Sequence, residues 1–449
     1  MSHAVTSGAL PVTGNQERFL LRDEAHRRAG KPPYIRTVSW CARIDGDLDP
    51  DRLRAAVGAL LARHEALRTR YGLEDGRGYA VVETVAEPSL ELVDLTGLPA
   101  DERLDAALQA ATEAADTPFD RRTLPRLRAT LYVLRPGSHV LLLVADHIVG
   151  DGRTTEILAR DVAALYSGTA LPEVPLRYVD WVAAAQGPEG LARRERLLEY
   201  WRDEVGENRF FPRVRLPFAR DEPLPDSFLG AHRTMRVDRP TVAAMAKLAR
   251  AHRTTMFTVH LATLVAALHR ATGELDVTVV VPDDNRGDPR TEDVVGWFAT
   301  SMALRFRLPP EPSLDQVVDT AREQLLTALE HRGISFGEVL DAGAGRRGTA
   351  PPAVVRFEYS APMGGAPRFD GVPATELSLP IVSAGLGLAI WTRQQGPDQA
   401  PTGLEITIVH GLEYYSEEAV GGFLTDWREL TRALLADPGA PVATVNLTA

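Results

Sequence analysis

The stretch Asp146 to Gly152, DHIVGDG, sets an imidazole among carboxylates and glycines, which is the side-chain chemistry of proton transfer near neutral pH. His147 follows the apolar run Val140-Leu141-Leu142-Leu143-Val144, which reads as a strand buried on both faces. Gly150-Asp151-Gly152 reads as a turn. Beyond it Ile157, Leu158, Val162 and Leu165 recur at helical spacing up to Gly168. A histidine at the mouth of a buried strand, held by a tight turn, is placed to face a substrate cleft and act as a general base. Taken alone, a single histidine beside an Asp-Gly pair is more often a satisfied structural residue than a catalyst.

The elements around this segment alternate helix and strand. Thr13 and Gln16 form a capping box, so a helix is expected over 14–28, followed by a strand over 34–44. Asp49-Pro50 opens a second helix, with Leu53, Val57, Leu60 and Leu61 on one face. Strands are expected near 78–83 and 126–134. Residues 168–230 hold seven prolines, look less regular, and are where the chain is expected to pass between lobes. The second half repeats this alternation, with helices near 239–252 and 255–271, a strand at 277–281, and a helix from the Ser313–Gln316 capping box to about His331. Strands near 352–360, 376–391 and 402–411 and a last helix capped by Ser416 complete it, with 343–352 as a loop. The order is a mixed α/β fold with crossovers long enough for helices.

Bulk properties narrow the function. A chain of 449 residues has room for two lobes, each with its own core. The composition, 44% hydrophobic and 25% charged, is that of a globular protein. A net charge of −11 argues against a nucleic-acid partner. Lys31 and Lys247 are the only lysines, which limits Schiff-base chemistry to those two positions. Cys41, the only cysteine, lies in an apolar segment and is expected to be inert core; no intramolecular disulfide can form. No membrane span or basic-then-apolar leader is recognisable, so a cytoplasmic protein is expected.

Several ordered segments together resemble the condensation domains of nonribosomal peptide synthetases, in the superfamily of chloramphenicol acetyltransferase. Thr13, Gln16 and Arg18 resemble SxAQxR; Arg63 to Tyr71, RHEALRTRY, resembles RHExLRTxF; DHIVGDG resembles HHxxxDG. Tyr178, Asp180 and Trp181 resemble YxDF, Asn285-Arg286 the NR pair, and Val295 to Arg305 the IGFFVNTLPLR segment; 323–340 is similar to the family's next helix and loop. The resemblance implies two acetyltransferase-like lobes in a V-shaped pseudo-dimer, expected over 1–175 and 176–449, with the histidine in a tunnel between them. It implies acyl transfer from a carrier-protein thioester to an amine or alcohol. The enzyme would have no cofactor of its own, the acyl group arriving on the phosphopantetheine of an acyl or peptidyl carrier protein or as a coenzyme A thioester. A small-molecule acceptor is the other expected partner; neither nucleic acid nor membrane is.

On this resemblance His147 is the catalytic residue. Asp151 is expected to pair with Arg286 in a buried bidentate bridge that fixes the turn, and Asp146 to support it structurally. Gly152 is expected either to offer its N–H to the thioester oxygen or to serve turn geometry alone. Arg63 and His64 are expected to form a polar network at a helix end. The sequence departs from the family at Asp146, where the first histidine of the motif stands, at Thr300 in place of asparagine, and at Ala184 in place of tryptophan. Asp146, Asp151 and Thr154 spell a DxxxxDxxT similar to the heterocyclisation relatives, which normally lack the histidine that His147 keeps. No EGHGRE-like segment of the epimerisation relatives is found. No adenylation, carrier or thioesterase segment is recognisable, so a free-standing condensation enzyme is expected; the alternative is a silent condensation-like module that recruits a partner enzyme.

Overall fold

The computed structural model describes residues 9–30, 37–84, 88, 90–120, 123–205, 216–220, 230–339, 355–360, 366–379, 387–395 and 402–446. By its internal contacts the chain divides into two compact units. The first comprises Met1–Arg194, Asp284–Ala299 and Gly365–Pro380, and the second Glu195–Asp283, Thr300–Gly364 and Ile381–Ala449. Each is an acetyltransferase-like lobe of mixed α/β structure built on one six-stranded sheet.

The first unit runs α1 (Gly14–Arg28), β1 (Thr37–Ile44), α2 (Pro50–Arg63), β2 (Thr69–Glu74), β3 (Arg77–Val82), β4 (Leu90–Asp94), α3 (Arg103–Ala115), β5 (Leu127–Arg135), β6 (Ser138–Asp146), α4 (Gly152–Tyr166) and α5 (Tyr178–Ala185). Two short strands from much further along the chain, β11 (Arg368–Phe369) and β12 (Val372–Glu376), complete it. α6 (Pro188–Val205) carries the chain from the first unit to the second. Local signals set these limits: Thr13 and Gln16 bond reciprocally at the start of α1, and Asp49 caps α2 with Pro50 at its first position.

The sheet order β11-β12-β1-β6-β5-β4 places β6 at the centre, and every residue of β6 is buried. Alternation splits it between two cores. Leu141, Leu143 and Ala145 join residues of α1, α2 and α4, whereas Val140, Leu142 and Val144 join residues of α3. That two-sided burial is why the strand reads as an unbroken apolar run. Cys41 belongs to the α3-side core; burial pushes its thiol up to about 12, and it is inert.

The second unit runs β7 (Gly230–Val237), α7 (Arg239–Ala251), α8 (Met256–Thr272), β8 (Asp276–Asp283), β9 (Thr300–Arg307), α9 (Leu314–Glu330), β10 (Val355–Ser360), β13 (Leu388–Gln395), β14 (Gly403–Gly411) and α10 (Glu417–Ala436). Its sheet is ordered β7-β14-β13-β10-β8-β9, with α8 buried along almost its whole length.

Three expectations need correction. The first lobe is not the contiguous span 1–175. It also holds α5, whose Tyr178 and Val182 pack with Val294 and Phe298, and a ribbon in which β12 pairs antiparallel with β1. The proline-rich stretch from 168 contains two helices, α6 starting on Pro188, where a missing N–H costs nothing. The strand expected over 376–391 is two: β12 stops at Glu376 and β13 starts at Leu388. The loop expected at 343–352 lies outside the described residues.

His252 ends α7 with Nδ1 2.9 Å from Asp319 and Nε2 2.8 Å from Asp315, both on α9. Burial lowers its pKa, but hydrogen bonds to Asp319 and Asp315 outweigh that, and the net shift is upward. A histidine whose folded pKa is raised stabilises fully below its unfolded value, about 6.5, and loses that contribution as pH rises through the folded value. The difference in thermal midpoint between wild type and H252Q is therefore expected to shrink as pH is raised from 6 to 9. A constant difference across that range would contradict the assignment.

Candidate functional site

The candidate site lies in the first unit, where β6 ends. His147 opens a single 3₁₀ turn, His147–Val149, and Gly150 follows in extended conformation before α4 begins. Gln16 on α1 holds this turn: its buried Nε2 donates to the Ile148 carbonyl at 2.8 Å and to the Tyr71 hydroxyl at 3.3 Å. Its Oε1 accepts from Thr13 N–H at 3.0 Å, so one side chain caps α1 and clamps the turn. Replacing Gln16 by alanine strands a buried carbonyl. We expect about 1–3 kcal/mol less stability by urea unfolding, and a larger fractional loss of any His147-dependent activity than that destabilisation explains.

Asp146, the residue before the histidine, caps the turn by accepting from Ile148 N–H at 3.3 Å. Its other carboxylate oxygen lies 3.8 Å from Nη1 of the fully buried Arg126. Arg126 in turn donates to the Thr69 and Asp120 carbonyls at 3.3 and 3.0 Å. Where a carboxylate replaces the expected histidine, a buried guanidinium compensates it.

Asp151 caps α4 and is 2% exposed. Its Oδ1 accepts from Thr154 N–H at 3.1 Å, Thr154 Oγ1 at 3.3 Å and Arg286 Nη2 at 3.3 Å. Its Oδ2 accepts from Phe298 N–H and Ala299 N–H, both at 3.0 Å. The bridge to Arg286 is thus not bidentate. Arg286 also donates through Nη1 and Nη2 to the carbonyls of Thr291, Val294 at 2.9 Å and Gly296 at 3.5 Å, and lies 4.1 Å over the Phe298 ring. Two main-chain amides take the place of the second guanidinium contact, because the 284–299 segment itself wraps the carboxylate. A carboxylate with five donors is a fastening, with its lone pairs committed.

The same segment brings Trp297 to the histidine. The two ring centroids are 4.6 Å apart and tilted by 53°. Trp297 is 8% exposed and meets Phe19 of α1 edge-on at 5.8 Å. Its carbonyl accepts from the buried Tyr178 hydroxyl at 2.9 Å. Gly296 has to be glycine, since a Cβ there would stand 2.1 Å from the Tyr178 ring.

Gly152 is different. A Cβ there would meet nothing within 4 Å, its φ is outside the left-handed region, and the residue is exposed. Neither turn geometry nor packing within the chain calls for glycine at this position. It leaves open space beside the first amide of α4, the positive end of the helix.

The family model of the condensation domain matches residues 7–356. This chain belongs to the condensation-domain family. Among curated proteins it is 32% identical over 338 residues to one of the subunits of linear gramicidin synthase from Brevibacillus parabrevis, covering 74% of this chain and 4% of that protein. It is 32% identical over 340 residues to phosphinothricin tripeptide synthetase PhsC of Streptomyces viridochromogenes, covering 74% of this chain and 31% of that one. The chain therefore spans under a third of the length of these relatives. Among solved structures it resembles the X-domain from teicoplanin biosynthesis, with a TM-score of 0.84 at 21% identity over 100% of this chain and 99% of that one. It also resembles the first condensation domain of the calcium-dependent antibiotic synthetase, with a TM-score of 0.78 at 23% identity over 99% and 100%.

In this condensation domain the structure gathers His147, Asp146, Asp151, Gly152 and Arg286 around one turn. Arg63 and His64 stand apart from it. Arg63 Nε and His64 Nε2 each lie 3.0 Å from Oδ2 of the buried Asp161, and burial lowers the His64 pKa. That is a network tying the end of α2 to α4, as expected. Thr154, which fits the heterocyclisation pattern, is fully buried with its hydroxyl committed to Asp151 and to the Gly296 carbonyl at 3.3 Å. Sequence reasoning gave Gln16 only its capping of the first helix, and assigned no role to Arg126, Trp297 or the amides of Phe298 and Ala299. Gln16 and Trp297 do lie in the segments that carry the resemblance, and only Arg126 had no signal. Among the described residues no three histidine, cysteine or acidic side chains are grouped to hold a metal, and no helix is long and apolar enough to cross a membrane.

Proposed function

We propose that this domain joins an acyl or aminoacyl group, delivered as a carrier-protein thioester, to an amine or alcohol in natural-product biosynthesis. The nucleophile attacks the thioester carbonyl, a C–N or C–O bond forms, and the C–S bond breaks. His147 takes the proton that the nucleophile loses, and the pantetheine leaves as the thiol. Gly152 N–H at the start of α4 receives the carbonyl oxygen as it gains negative charge. The protein has no cofactor of its own in this scheme; the phosphopantetheine arm comes with the carrier, supplied in trans, or the donor is a coenzyme A thioester.

The observation that carries the reading is the unneeded glycine. The turn bearing His147 is tied down from three sides, yet Gly152 leaves space beside a helix N-terminus that no neighbouring side chain fills. The test offers a panel of acyl- and aminoacyl-loaded carrier proteins with amine and alcohol acceptors and follows intact mass. Transfer to at least one acceptor, dependent on this protein, supports the reading.

The likeness to X-domains supports a second reading, since one of them is seen in a complex with OxyB at a TM-score of 0.83. Recruitment of a partner enzyme, without transfer from any loaded carrier or coenzyme A thioester, would establish it. The intact His147 and the space at Gly152 favour the first.

A further inference from the structure

Trp297 stands where the segment resembling IGFFVNTLPLR has phenylalanine, so this chain places an indole N–H where that pattern has a phenyl ring. The stretch that carries it is fastened along the start of α4. Phe298 N–H, the next amide in the chain, bonds Asp151 at 3.0 Å, and Gly152 is the residue after Asp151. The Gly296 carbonyl, on the other side of Trp297, accepts from Thr154 Oγ1 at 3.3 Å. Trp297 is therefore flanked on both sides by residues bonded to the start of α4, and its ring centroid lies 4.6 Å from that of His147. Indole, imidazole and the open space at Gly152 share one corner of the first unit.

The ring is held and its donor is not. Phe19 meets the ring edge-on at 5.8 Å, and the main-chain carbonyl takes the Tyr178 hydroxyl at 2.9 Å. Among the described residues nothing accepts from the indole N–H, and that nitrogen is not sealed from solvent although the residue is only 8% exposed. A buried tryptophan ordinarily finds an acceptor for this group. Indole N–H donates and never accepts, so it can take no proton from a nucleophile. What it can do is meet an atom that gains negative charge. As the nucleophile adds to the thioester carbon, the C=O π pair moves onto oxygen while the attacking atom loses electron density. The pair returns when the C–S bond breaks and the thiol leaves, His147 having taken the nucleophile's proton. In the addition step the carbonyl oxygen is thus the atom that rewards a fixed donor.

We propose that the Trp297 indole N–H is a second donor to the thioester carbonyl oxygen beside Gly152 N–H, which makes Trp297 a catalytic residue. The inference rests on the acyl-transfer reading above. One donor comes from the residue after Asp151 and the other from the residue before the amide that Asp151 holds, so one carboxylate sets their separation.

The test is single-turnover transfer by the whole protein, wild type against W297F, with a loaded carrier and acceptor that wild type uses. W297F keeps a ring against Phe19 and His147 and lacks the N–H. At saturating carrier its rate should fall about 10²-fold, as for loss of one oxyanion donor, with half-saturation changed less than about twofold and the unfolding midpoint retained. The pair is then offered with the reacting carbonyl oxygen replaced by sulfur. A thiocarbonyl accepts hydrogen bonds weakly, so on this donor W297F should lag wild type by less than about threefold. Equal losses on both donors would mark a packing role beside His147 and overturn the proposal. So would a W297F rate within about threefold of wild type on the thioester. W297L, also without an N–H, gives the same comparison should W297F fold poorly. Wild type inactive with every loaded carrier and coenzyme A thioester would overturn the acyl-transfer reading and this inference together; active wild type with W297F unimpaired would overturn this inference alone.

Discussion

An H147A variant is expected to keep its fold and lose acyl transfer by about 10²–10⁴-fold, the usual contribution of a positioned general base. The side chain is only partly buried and packs on Trp297, so unfolding free energy should change by about 1 kcal/mol. The turn survives because Gln16 bonds the Ile148 carbonyl and Ile148 N–H bonds Asp146. Rates would be read from single-turnover transfer off a loaded carrier, and stability from urea unfolding of the same preparation. Transfer within a few fold of wild type would remove His147 from the mechanism.

The second large effect is on stability. D151A removes the N-cap of α4, the acceptor of the Phe298 and Ala299 amides and the countercharge of Arg286 at once. Breaking a buried ion pair from one side costs about 3–5 kcal/mol, and a lost cap typically about 1 kcal/mol within a similar range. The three carbonyls that also receive Arg286 soften the charge term, so about 3–5 kcal/mol in total is expected from urea unfolding. D151N should recover only part of it. Both sides of the carboxylate face donors, Thr154 and Arg286 on one and two amides on the other, so the NH2 of asparagine opposes a donor in either orientation. A loss under about 1 kcal/mol in D151A would show that the carboxylate is not the fastening it resembles.

His147 and Asp151 stand in one loop and divide the work. The imidazole packs on Trp297, and the carboxylate is bonded at both oxygens. Asp151 therefore places His147 by fixing where α4 starts, while the segment 284–299, which supplies Arg286 and the two amides, also delivers Trp297 to the imidazole.

Short-range signals were legible in the chain to within a residue or two. The capping boxes at Thr13 and Ser313, the Asp49-Pro50 start of α2 and the apolar run of β6 all specify their elements locally, through side chains bonding amides three positions away or through uninterrupted burial. The ordered motifs identified the family and pointed to the turn at 146–152. The span 376–391 was misjudged as one strand although Pro380, Gly385 and Gly387 punctuate it, because its apolar residues continue on both sides of those breakers.

Other features were set by contacts between residues far apart in the chain. Gln16 bonding the carbonyl of Ile148, Arg126 facing Asp146 at the end of a neighbouring strand, and the amides of Phe298 and Ala299 closing on Asp151 leave no periodic or compositional trace. A backbone amide has no side-chain identity to read, so the substitution of two N–H groups for half of an expected guanidinium bridge was invisible in the sequence. The amino-acid order determined which segments are helix or strand, which family they compose and which imidazole is the candidate base. The tertiary structure alone decided what holds that imidazole and which segments share its unit, because buried polar groups must find partners wherever the folded chain brings donors within about 3 Å.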